Sequence, residues 1–256
     1  MTATLSPVTA RDQDQRGTRT SGYAMFVGTW QISIYFWIAV VMISAVLTVV
    51  LNTWDEIDGS VADGILGSAP IFLSVMGVIV PLGLLPLHLA GGVTRRSFGR
   101  GVVTAAIGLG VTFGFAGAVG MLVESLVFSA LDWSTAVDAP GLYDSSGDFL
   151  LIWLSWTLSC IAYTLAGAAI SLGYYRWGSI LGTLQMAAAI ALVVAGELAL
   201  GGGLTSGTLG RIFGDDQLPV LVAVLVSAAV LAALGYLVAR TVREIPLKTG
   251  SRAACG

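Results

Sequence analysis

Apolar positions along the chain gather into six long runs separated by short polar segments, at about residues 30–51, 70–90, 102–128, 149–172, 179–200 and 219–239. As a helix, a run of about 20 apolar residues matches the roughly 30 Å hydrocarbon core of a bilayer. The pattern predicts an all-α polytopic membrane protein: six transmembrane helices within one domain over 18–240, a disordered polar tail over 1–17 and a second tail over 241–256. Two segments depart from simple spans. Residues 18–30 mix Arg19 with Tyr23, Met25, Phe26, Val27 and Trp30, which suits a short helix lying in the interface. Residues 201–218 are Gly-rich, and a re-entrant segment and a flexible loop both stay open.

Charge orients the spans. The first and third connections are acidic (Asp55, Glu56, Asp58 and Asp63; Asp132, Asp138, Asp144 and Asp148), and the fifth carries Asp215 and Asp216. The N-terminal tail, the second and fourth connections and the C-terminal tail together hold eleven of the twelve Lys and Arg residues. Basic residues flanking spans are retained in the cytoplasm. Both termini are therefore expected there, and an odd number of spans would break the alternation. Trp30, Trp37, Trp54, Trp133, Trp153 and Trp177 fall near proposed span ends, as interfacial anchors do.

Composition agrees with lipid as the solvent. Of 256 residues, 56% are hydrophobic and only 11% charged, with a mean hydropathy of +0.88, whereas soluble domains carry about 25% charged residues. Residues 1–20 lack the apolar core of a cleaved signal peptide. Cys160 lies in an apolar run and Cys255 beside the C-terminus, so no structural disulfide is expected. With one histidine there is also no expected metal site.

Chemistry is sparse. The chain has no GxSxG motif and no GxxxxGK[ST] phosphate loop, so neither serine hydrolysis nor nucleotide hydrolysis is expected of it. No catalytic residue, cofactor or nucleic-acid partner is expected. His88 lacks a titratable partner and reads as a helix-end residue. Glu124 and Glu197 lie within spans, where a carboxylate costs about 2.5–3.5 kcal/mol at the helix centre. They either snorkel outward, Arg211 being a partner for such an acid, or line a pathway. Gly110, Gly114 and Ala118 recur every four residues, a spacing that lets helices approach closely. Packing within the bundle and a dimer interface are equally open. Pro81 and Pro86 favour a bend in the second span. The segment Gly92-Val93-Thr94-Arg95-Arg96-Ser97-Phe98-Gly99-Arg100-Gly101 is the most informative. An exposed Phe98 among arginines suits a docking loop; a positive-inside anchor with Phe98 dipping into lipid is the other reading.

That GVTRRSFGRG segment, after a proline-bearing second span, resembles the membrane permeases of bacterial ATP-binding-cassette transporters of the type-2 exporter-like group, actinobacterial members in particular. The six-span pattern carries the resemblance over the whole chain, the specific motif over residues 92–101 only. It implies two permease copies, as a homo- or heterodimer in the bacterial cytoplasmic membrane, each docked by a separate cytoplasmic ATP-binding subunit. It puts Thr94, Arg95, Arg96, Ser97, Phe98 and Arg100 at the ATPase contact, an interfacial helix around Tyr23–Trp30, and short re-entrant helices over 201–218, where Gly201, Gly202, Gly203 and Gly207 are poor helix formers. The few charges at mid-membrane depth favour export of an apolar or amphipathic cargo. Two other functions remain: a proton-linked secondary transporter using Glu124 or Glu197, and a non-transporting scaffold, immunity protein or sensor partner.

Overall fold

The computed structural model describes residues 10–53, 61–131, 142–143, 147–201 and 218–245. These residues form six helices: α1 (Ala10–Thr53), α2 (Val61–Leu66), α3 (Ser68–Ala90), α4 (Arg95–Ala130), α5 (Phe149–Leu200) and α6 (Val220–Arg243). Five helical stretches are long and apolar enough to cross a membrane. This is an all-helical protein built for a bilayer.

The 52 residues of α5 would reach about 78 Å as a straight rod. They do not run straight. Gln185 Nε2 donates to Ala169 O at 2.7 Å across 16 residues, and Ser159 Oγ donates to Glu197 Oε1 at 2.9 Å across 38 residues. Both contacts require the chain to fold back. The reversal occurs at Gly178, with φ +74° and ψ −157°, a conformation in which a Cβ is not tolerated. The result is a helical hairpin with arms 149–177 and 179–200.

This hairpin is the centre of the bundle, with α3, α4 and α6 all packed on it. On α6 the buried positions are Ala223, Ser227, Val230, Leu234, Val238, Thr241 and Val242. They recur every three or four residues, so one seam faces inward while Leu221, Leu225 and Tyr236 stay exposed. Small residues set the tightest contacts. A Cβ on Gly77 would strike Thr164 O, and one on Gly167 would strike Ser74 O, so α3 and the first arm of α5 meet backbone to backbone.

Helix α1 lies along α4, and the two run parallel. Gly17 meets Ser97, Gly22 meets Gly101 and Thr104, Phe26 meets Gly108, and Trp30 Nε1 donates to Thr112 Oγ1 at 3.2 Å. Two expectations change as a result. Residues 10–17 are helical and mostly exposed, with Gly17 buried, so the disordered tail over 1–17 is corrected there; residues 1–9 lie outside the described residues. Residues 18–30 are the continuous start of a 44-residue helix beside α4, not a separate interfacial helix. Trp30 and Trp37, two of the tryptophans near span ends, are half-buried and with Phe36 and Phe72 surround Phe113, the Phe36 and Phe72 rings stacking at 4.4 Å. Residues 202–217, most of the stretch left open between a re-entrant segment and a flexible loop, are outside the described residues, as are Trp54, Trp133 and Arg211.

Candidate functional site

The connection between α3 and α4 is four residues long. Gly91 N–H donates to Leu87 O, and Val93 N–H donates to His88 O at 3.0 Å. Gly92, at φ +79°, makes the left-handed turn that releases the chain from α3. Thr94 then caps α4: its Oγ1 accepts from Ser97 N–H at 3.1 Å, and Ser97 Oγ returns a bond to Thr94 O at 2.9 Å. Arg95, Arg96 and Arg100 therefore stand on the first turns of a rigid helix, not on a mobile loop.

The same end gathers basic residues from distant parts of the chain. Gly99 touches Ala239 and Val242, which brings the end of α6, with Arg240 and Arg243, beside the start of α4. Arg176 pairs with Glu244 and lies over the Trp177 ring at 4.3 Å. Asp14 of α1 ties in the other side: its Oδ1 accepts from Thr94 Oγ1 at 2.7 Å and its Oδ2 from Arg100 Nη1 at 3.1 Å.

The six residues carried over as an ATPase contact divide. Thr94, Arg96 and Arg100 are exposed, and Arg95 is half-buried. Ser97 and Phe98 are buried, Phe98 completely, within the main hydrophobic core. Phe98 is thus neither a docking aromatic nor a lipid-dipping one. The reason is helical phase: Phe98, Val102, Ala105 and Leu109 share the inward face of α4. His88 has the same packing role, its ring 5.7 Å from that of Phe98 and its Nδ1 2.9 Å from Leu84 O.

The intramembrane acids also divide. Glu197 is only 5% exposed, so the snorkelling reading fails for it. Its described partner is Ser159 on the opposite arm. Ser227 of α6 is buried beside it, with an Oγ that has no hydrogen-bond partner among the described residues. These residues border a cavity of about 10 Å³, room for about one water. Glu124, on α4, is half-buried and has an interaction of its own.

No family model, curated protein or solved structure matches this chain. Its functional reading stands on its own geometry.

The small-residue face of α4 is used inside the protomer. Gly110 lies against Ile161 and Thr157 O, Gly114 against the Thr157 backbone, and Ala118 is fully buried. Of the two readings left open for Gly110, Gly114 and Ala118, these contacts match packing within the bundle. Asp14, Ser159 and Ser227 were not singled out from sequence. Asp14 is one acid in a polar tail, and the other two are hydroxyls in apolar runs; none has a local pattern to mark it.

Proposed function

We propose that this chain is the permease subunit of an ATP-driven transporter of the ATP-binding-cassette, type-2 exporter-like kind. It spans the bacterial cytoplasmic membrane six times, the two arms of α5 counting as separate spans, with both termini in the cytoplasm. A separate ATPase subunit docks at the arginine-bearing end of each of two permease copies. The cargo is apolar or amphipathic.

The observation that carries this reading is the α3–α4 connection. It is short, capped and bonded to α1, and it presents Arg96 and Arg100 outward at the end where Arg176, Arg240 and Arg243 also collect. Convergence of basic residues from three helices supports a cytoplasmic face. A rigid basic knob suits a partner that delivers force better than a loop that only satisfies topology.

Affinity purification from the native membrane tests it. An ATPase is expected to copurify and to be lost on Arg96→Glu, with the variant still inserted. Reproducible absence of an ATPase from the wild-type preparation overturns the assignment.

The buried Ser159–Glu197 bond with Ser227, unpartnered among the described residues, beside it favours a second reading, a proton-linked secondary transporter. Flux that needs a proton gradient but no ATP, and that stops on Glu197→Gln, would select it.

A further inference from the structure

Arginines far apart in sequence line one groove between α1 and α4. At its mouth are Arg11, Arg96 and Arg100, in an open cavity of about 690 Å³. Next to it, sharing Gln15 and Arg100, is a second cavity of about 530 Å³ bordered by Arg19, Tyr23, Phe26 and Ala105. The two form one channel along the helix pair: cationic at the end of the bundle, apolar toward its middle.

We propose that this groove is a binding site for one anionic phospholipid, with the phosphate at Arg11 and Arg96 and an acyl chain along Tyr23 and Phe26. Charge complementarity decides the class of occupant. Among the described residues that line the mouth Asp14 is the one acid, and Arg100 and Thr94 already occupy its two oxygens. Arg11, Arg19 and Arg96 form no ion pair with any described residue. The mouth therefore keeps a surplus of positive charge that calls for an anion.

Retention of basic residues in the cytoplasm does not by itself explain this arrangement. That rule needs arginines near span ends, not arginines from residues 11–19 and 96–100 facing one cavity. The apolar half argues for a lipid over a soluble anion. Tyr23 is 69% exposed although it is large, aromatic and beside a groove. A headgroup alone would leave that section empty, and an acyl chain would cover it. Basic pockets between membrane helices hold anionic headgroups through the same chemistry. The inference needs the chain to be membrane-embedded but does not need the ATPase partner.

Native mass spectrometry of the full chain in a non-ionic detergent tests it, with phosphatidylglycerol and phosphatidylcholine titrated side by side. Phosphatidylglycerol is expected to be retained in preference, with apparent affinity falling about fivefold for each of Arg11→Ala and Arg96→Ala. Both side chains are exposed, so the variants are expected to keep their gel-filtration profile. Arg243→Ala, at the same end but outside the groove, is expected to leave retention unchanged. Three results would overturn the proposal: equal retention of both lipids, an Arg243→Ala effect as large as that of Arg11→Ala, or displacement of the lipid by soluble glycerol phosphate at matching concentration. The assay contains no ATPase, so its failure would leave the permease reading standing, and the converse also holds.

Discussion

Gln185 Nε2 donates to Thr241 Oγ1 at 3.1 Å and to Ala169 O at 2.7 Å, joining both arms of the α5 hairpin to α6 with one buried amide. Thr241 Oγ1 also donates to Leu237 O at 2.7 Å, and Ala169 O lies in a helix, so neither is orphaned if the amide is lost. Gln185→Leu is therefore expected to lower stability modestly, by about 1 kcal/mol. Thermal unfolding in detergent measures it, and a collapse of folding would show that the amide is indispensable.

The contact between α3 and the first arm of α5 is expected to be far less forgiving. An added methyl at Gly77 or Gly167 meets a backbone carbonyl, which cannot rotate away. Gly77→Ala and Gly167→Ala should each cost about 1–3 kcal/mol by overpacking. Gly83→Ala, on the same helix as Gly77 but facing open space, is the matched control. It should be neutral or slightly stabilising, since alanine is the better helix former by about 1 kcal/mol. Equal melting temperatures for Gly77→Ala and Gly83→Ala would refute the close approach.

Gly178→Ala tests the hairpin itself. At φ +74° and ψ −157° a side chain is strained by about 1–3 kcal/mol. Nothing lies within 4 Å of the methyl it would add, so any loss of stability reports backbone conformation alone. Cross-linking by a short bifunctional thiol reagent between cysteines placed at Ser159 and Glu197, with Cys160 and Cys255 replaced, is expected to succeed in the otherwise wild-type hairpin and to weaken in Gly178→Ala. Failure to cross-link in either background would contradict the folded-back arms.

Topology is tested by labelling. With Cys160 buried and Cys255 replaced, a single cysteine at Arg96 is expected to react with a membrane-impermeant maleimide only after cells are opened. Labelling of intact cells would invert the proposed orientation.

Much of the bundle was legible because helices in hydrocarbon must satisfy their own backbone and face lipid, so long apolar runs are almost a map of the elements. The spacing of Gly110 and Gly114 marked a close helix contact without naming its partner. The fate of residues 18–30 was not legible. Ser21 and Gly22 read as polar, interfacial residues, yet their small size is what lets α1 press against Gly101. Phe98 was misjudged for a related reason. Its neighbours are arginines in sequence, but its neighbours on the helix are Val102 and Ala105, and the starting point of α4 decides which set matters. The reversal between runs 149–172 and 179–200 was expected, but the pairing of Ser159 with Glu197 depends on how the two arms align, which the apolar pattern does not give.

The four-residue link at Gly91–Thr94 leaves almost no slack between two stiff rods. Arg96 sits two residues from the fully buried Phe98, and its neighbour Thr94 is bonded to Asp14 of α1. This exposed arginine is therefore tied by geometry to the core and to a second helix, with no loop between.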